Sequence, residues 1–200
     1  MNNIGVLNVK TCIDGLKWIV FEAVMQETFP YEDDKHAKLL SIREGSGIKD
    51  RLAPPEKNKN FDHMLVSRLL ECLLYDDFVY TTSFGKKKTV WTVTIGGVVE
   101  YRSRTIENLG LDAYVNGLEE AVLNVLEATA DTGMYMQLKD IASKTGIEDE
   151  LVRVESQPLF TNGFTNTILM HLLLEKRVDR DPDRRGFWKI TDSEMQRRLQ

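Results

Sequence analysis

In this 200-residue sequence few side chains stand at spacings that perform covalent or metal chemistry. Asp33-Asp34-Lys35 has the D-x-K pattern that, with an upstream acid, holds a divalent cation at a sheet edge in nucleases. A pattern of three residues recurs by chance in any acidic chain of this length, and here it falls in a charge-rich helix start. His36, His63 and His171 are solitary and far apart, without the clustered ligands that zinc or iron requires. Gly45-Ser46-Gly47 and Gly96-Gly97 lack the lysine and hydroxyl of a phosphate loop and read as turns. No serine, threonine or histidine sits in a nucleophile elbow. The sequence therefore predicts no catalytic residue, no metal and no cofactor.

What remains is a set of polar and basic side chains suited to binding. Thr161, Asn162, Thr165 and Asn166 carry amide and hydroxyl groups that both donate and accept, and Arg184 and Arg185 follow them. In the first half Asp62, His63, Ser67 and Arg68 occupy the matching stretch, followed by Lys86, Lys87 and Lys88. Polar groups at a helix start suit base edges in a major groove, and a basic hairpin tip suits phosphate. Polar residues also cap helices, and lysines also protect exposed hairpins. Asp62, Asp76 and Asp77 repel phosphate, which makes the second set the stronger candidate. Trp18, Trp91 and Trp188 fall on an apolar helix face and at strand starts, positions that predict packing rather than base stacking.

Such groups need elements to hold them, and the chain supplies those elements twice. DGLKWIVFEAV (Asp14 to Val24) aligns with NGLEEAVLNVL (Asn116 to Leu126), placing Leu16, Ile19, Val20 and Ala23 over Leu118, Ala121, Val122 and Val125. Both segments have helical spacing and open on a residue able to cap a helix. Phe61 to Tyr80 aligns with Phe160 to Arg180, with Leu70 on Leu169, Leu73 on Leu172, Leu74 on Leu173 and Val79 on Val178, as a second amphipathic helix ending near Asp76 and Lys176. Between these helices Asp33 to Gly45 and Gln137 to Gly146 each read as a short helix ended by glycine. After them come two β-rich runs around Phe84-Gly85-Lys86 and two around Asp181-Pro182-Asp183, with Trp91-Thr92-Val93-Thr94 lying over Trp188-Lys189-Ile190-Thr191. Helix, helix, helix, hairpin, read twice, is the order of a winged helix-turn-helix. The expected fold is mainly α with small β-hairpins (α+β), in tandem winged helix-turn-helix domains at 1–100 and 112–200, joined by a linker at 101–111.

The stretch QPLFTNGFTNTILMHLLLEKRVDRDPDRRGFWKITDSE, Gln157 to Glu194, combines a QPLF lead, an L-x-x-x-x-x-V helix exit and a returning RRGFWKIT strand followed by a short helix. In these features the second half resembles the winged-helix domain at the N-terminus of Mrr-type restriction endonucleases. In that family a nuclease domain follows, whereas this chain ends at Gln200, so the resemblance implies targeting of DNA without cleavage. The first half shares the pattern only through its relation to the second. Its segment Phe29 to Asn60, with RLAPPEKNKN, joins its helices more loosely.

With 26 basic and 31 acidic residues the net charge is −5, and 42% hydrophobic with 28% charged residues is an ordinary globular composition. The total conceals segregation: residues 101–150 hold four basic and ten acidic residues, while 176–189 hold six basic and three acidic. No apolar run is long enough to cross a membrane, so a cytoplasmic protein is expected, nucleoid-associated if it binds DNA. Cys12 and Cys72 lie in apolar helical surroundings and read as buried free thiols, with a disulfide between them left open. The functional expectation is sequence-selective binding of double-stranded DNA, as a transcriptional regulator or the targeting part of a restriction or defence system. A winged-helix protein–protein adaptor is the alternative, favoured by the acidic total and by Glu148-Asp149-Glu150. A homodimer stays open.

Overall fold

The computed structural model describes residues 7–29, 35–52, 61–84, 88–104, 109–151 and 163–200. In the first half the described elements are α1 (Val9–Thr28), β1 (Ala37–Lys38), α2 (Leu39–Gly45), α3 (Ile48–Leu52), α4 (Phe61–Tyr75), β2 (Val79–Phe84), β3 (Lys88–Val93) and α5 (Ile95–Ser103). The second half repeats that order as α6 (Gly110–Glu127), β4 (Met136–Gln137), α7 (Leu138–Thr145), α8 (Ile147–Leu151), α9 (Gly163–Leu174), β5 (Val178–Arg180), β6 (Phe187–Ile190) and α10 (Asp192–Arg198). A single 3-10 turn, Ala130–Thr132, is inserted between α6 and β4. The fold is mainly helical with two small antiparallel sheets, ordered β1-β3-β2 and β4-β6-β5.

The strand registers match at every pair of the shorter second sheet, and β2–β3 extends three pairs further toward its tip. Trp91 faces Ala37 on one side and Thr81 on the other, and Trp188 faces Met136 and Arg180 in the same way. Val79 opposes Val93 as Val178 opposes Ile190. The core positions coincide too: Leu16 and Leu118, Val20 and Val122, Ile42 and Ile141, Leu73 and Leu172 are all fully buried. Each such Leu, Ile or Val contributes about 1.5–3 kcal/mol by leaving water, so these recurring positions fix the arrangement of the helices in each half.

Backbone details repeat as well. After α4 the amides of Asp77 and Phe78 donate to the carbonyls of Leu74 (3.1 Å) and Leu73 (2.9 Å), and Asp77 takes a left-handed φ of 57°. After α9 the amides of Lys176 and Arg177 donate to Leu173 (3.1 Å) and Leu172 (2.9 Å), and Lys176 has a φ of 60°. Glycine is usual at this C-terminal position, so both halves accept the same strain, about 1–2 kcal/mol, to turn the chain into β2 or β5. Thr94 and Thr191 close the far side. Each hydroxyl accepts from an amide of the following helix, Gly97 at 2.9 Å and Glu194 at 3.2 Å. Each also donates back to the exit turn, Thr94 to Asp77 (2.8 Å) and Thr191 to Lys176 (3.1 Å).

Several expectations need correction. Asp14 and Asn116 do not begin helices: α1 starts at Val9 with Asn8 accepting from the Thr11 amide at 2.8 Å, while Asp14 pairs with Lys17 at 3.0 Å. Gly45 lies inside α2, and the left-handed residue that separates α2 from α3 is Gly47, matched by Gly146 between α7 and α8. The short helices α3 and α8 and the two-residue strands β1 and β4 add to the expected order.

The chain divides into two compact units, Ile13–Asp112 as one and residues 7–12 with Ala113–Gln200 as the other. Residues 101–104 and 109–111 fall within the first of these bounds. Cys12 and Cys72 are both buried and free. Among the described residues no helix is long and apolar enough to cross a membrane.

Candidate nucleic-acid interface

In the first unit α4 and the β2–β3 hairpin carry the candidate residues. His63 stands on the first turn of α4, and Lys88 opens β3 opposite Phe84. Lys86 and Lys87 lie outside the described residues, as do Asp33 and Asp34 of the D-x-K pattern. Ser67 is half-buried on α4. Arg68 is a different case from the one expected: its side chain is only 15% exposed and is paired with Glu71 one turn along, so its charge is covered and balanced.

In the second unit Thr161 and Asn162 lie outside the described residues. Asn166 is half-buried on α9 at the register of Ser67. Thr165 is 0% exposed, so it does not face a groove. Its amide and hydroxyl both donate to Oε1 of Glu148, at 3.3 and 3.0 Å, so the carboxylate of α8 caps the first turn of α9. The sequence contained this signal, since Thr165 continues the apolar register of Phe164, Ile168 and Leu169, but its polarity suggested the opposite face.

The β5–β6 hairpin shows how the basic run is organised. Asp181 accepts from the amides of Asp183 (3.0 Å) and Arg184 (3.1 Å) and from Nε of Arg184 (2.7 Å), which fixes the turn. Burial works against its negative charge, but these donors outweigh that cost and hold the carboxyl below its usual range. Arg184 is therefore partly neutralised, and its guanidinium also lies 4.5 Å from the centre of the Phe187 ring. Arg185 is exposed and makes no ion pair among the described residues. It lines a shallow cleft of about 360 Å³ with Arg180, Asp181, Pro182 and Asp183. Arg180 over Trp188 (5.8 Å) and Lys189 over Tyr135 (5.1 Å) add two cations on this hairpin that the sequence reading did not single out. Their signal was strand alternation opposite an aromatic partner.

Not every base in the 176–189 run belongs to that surface. Arg177 turns inward, with Glu120 at 2.8 Å, Glu194 at 3.1 Å, and Glu119 and Glu175 at 3.7 Å. Arg198 joins the same cluster through Glu120 (2.6 Å) and Glu127 (2.7 Å). Arg197, helped by Arg177 and opposed by burial, pulls the Glu194 carboxyl down to about 2. The matching place in the first unit is filled by rings: Trp18 lies 5.2 Å from Phe78 and 5.9 Å from Tyr101, and Phe21 lies 5.5 Å from Tyr101. Arg104 caps that stack 3.9 Å over Trp18, pairs with Glu100, and so is bound to its own unit; Arg102 stands over Phe29. Trp91 and Trp188 are buried, as the packing reading expects.

Compared with known proteins, the chain matches no protein-family model, no curated protein and no solved structure.

Proposed function

We propose that the chain binds double-stranded DNA selectively through two winged helix-turn-helix units, as a transcriptional regulator or as the targeting part of a restriction or defence system. The observation that carries this reading is the repeated order of long helix, short strand, two short helices, long helix and hairpin, with the short strand paired to the returning hairpin strand in both halves. In such a unit the helix before the hairpin, α4 or α9, enters the major groove, and the hairpin reaches phosphate. Ser67 and Asn166 then serve as groove-side polar groups, with His63 on the first turn of α4 and with Thr161 and Asn162, which precede Gly163 in the sequence. Phosphate contacts come from Lys86, Lys87 and Lys88 in the first hairpin and from Arg185, Arg180 and Lys189 in the second.

Charge decides the weight of each hairpin. The first, residues 79–93, carries three lysines and no acid, whereas the second, residues 178–190, carries four bases and three acids. The first hairpin itself therefore offers more phosphate contacts, while Asp62, Asp76 and Asp77 near it in sequence oppose them. Fluorescence anisotropy with random-sequence duplex, titrated from low salt upward, tests the reading. Changing Lys86, Lys87 and Lys88 together to Ala is expected to reduce the log–log salt slope by about 2–3, and Arg185→Ala by about 1. Arg184→Ala is expected to change it less, because Asp181 already shares that charge. An absence of duplex binding at every ionic strength sinks the proposal.

A second reading, a protein–protein adaptor, draws on the net charge of −5 and on α5, where Ile95 and Val99, one turn apart, are 72% and 61% exposed. It predicts that Ile95→Ser with Val99→Ser abolishes partner capture and leaves duplex affinity unchanged.

A further inference from the structure

We propose that Glu119, His171 and Glu175 form a binding site for one divalent transition-metal ion of the zinc class. The three residues each offer one ligand atom, and these atoms lie within 4.8 Å of one another. Oε1 of Glu119 is 3.0 Å and Oε1 of Glu175 is 3.9 Å from Nδ1 of His171. An ion about 2.1 Å from each donor needs donors roughly 3–4 Å apart, so small side-chain rotations complete the coordination. The other carboxylate oxygens are already held: Oε2 of Glu119 and Oε2 of Glu175 each lie 3.7 Å from Nη1 of Arg177. Arg177 therefore orients both carboxylates with their Oε1 atoms turned toward the imidazole, the outer support that metal ligands need.

Charge supplies an independent argument. The connected cluster contains five carboxylates, Glu119, Glu120, Glu127, Glu175 and Glu194, and three guanidiniums, Arg177, Arg197 and Arg198. Among these paired side chains of the described residues the acids outnumber the guanidiniums by two; Glu119 and Glu194 are buried, 2% and 4% exposed, while Glu120, Glu127 and Glu175 reach solvent. An acid-rich, partly buried cluster favours a bound cation, and one divalent ion matches this difference. The first unit has no such need, because the buried residue at the position of Glu119 is Lys17, itself a cation. An imidazole nitrogen among the donors favours a zinc-like ion over calcium or magnesium, which prefer oxygen alone. The ligands come from α6, from the last turn of α9 and from the turn after it, so the ion ties the end of α9 to α6. Glu175, 42% exposed, leaves the ion a route from solvent.

The test is titration of the chelator-treated full chain with Co²⁺, followed by its visible absorption, and then displacement by Zn²⁺. The expected result is uptake of one equivalent with ligand-field bands, and affinity falling at least about 10-fold in both His171→Gln and Glu175→Gln. Glu175 lies at the surface, so Glu175→Gln keeps the fold and reads the site directly even if His171→Gln does not. No one-equivalent uptake, or uptake unchanged in Glu175→Gln, overturns the proposal. Duplex binding is read separately by anisotropy, so failure here leaves the DNA reading standing, and the reverse.

Discussion

Two individual side chains show how far local context governs the behaviour of a residue. Burial raises the Glu148 carboxyl from 4.5 to about 7, against the pull of the Thr165 amide and hydroxyl, and Asp149 adds to the rise. Its Oε2 is buried with no hydrogen-bond partner among the described residues. Because the folded value lies above the unfolded one, the group favours folding most below pH 4.5, and that contribution is lost as pH rises to about 7. Urea denaturation is expected to show up to about 3 kcal/mol lost between pH 4.5 and 8 in the native chain. Glu148→Gln is expected to be nearly flat over that window, and equal slopes for the two proteins would count against a costly buried charge. Gly97 is constrained by space instead. A Cβ there would come within 2.5 Å of the Phe78 carbonyl oxygen and 2.9 Å of the Phe21 ring. Alanine ordinarily gains up to about 1 kcal/mol over glycine in a helix. The clash with backbone is larger, so Gly97→Ala is expected to lower stability by about 1–3 kcal/mol in a thermal melt.

At the scale of elements, the exit turn and its threonine form one device used twice. Thr94→Val and Thr191→Val each remove a helix cap and a hydroxyl donated to the turn, and each is expected to cost about 1–2 kcal/mol. Thr→Ser at either place is expected to keep most of that stability, and a large difference between the two halves would argue against their equivalence. Much of this was readable in the sequence. Apolar residues at helical spacing marked α1, α4, α6 and α9, and the paired Trp-x-Val/Ile runs gave the returning strands their alignment. The two-residue strands β1 and β4 were not readable, since their pairing with β3 and β6 depends on partners far along the chain and two residues show no alternation. The helices α3 and α8, five residues each, are too short for a periodic signal. In the candidate interface the hairpin bases were visible, but their division into exposed Arg185 and inward Arg177 was not, because it rests on Glu119, Glu120 and Glu194 from other helices. His171 reads as solitary in the sequence for the same reason, since Glu119 reaches it from α6.

Across the whole molecule, the two halves keep one backbone and hold it by different forces. The ionic cluster in the second unit depends on a carboxyl pulled down to about 2, so its contribution is present above pH 4.5 and fades as pH falls toward 2. The rings that fill the matching place in the first unit carry no carboxyl. Calorimetry between pH 4.5 and 2, below the range in which Glu148 titrates, is therefore expected to show the second unit losing melting temperature more steeply than the first, and a parallel decline of both would contradict this assignment. The paired clusters also bear on descent. If both halves come from one duplicated ancestor, Trp18, Phe78, Gly97 and Tyr101 on one side and Glu120, Arg177, Glu194 and Arg198 on the other are two endpoints of the same site. No single exchange connects them: Arg177→Phe strands its buried acids at a cost of about 3–5 kcal/mol, and a carboxylate at Gly97 meets Phe78. Each half is therefore expected to resist the other's residues when they are exchanged one at a time, and to accept them only as a set.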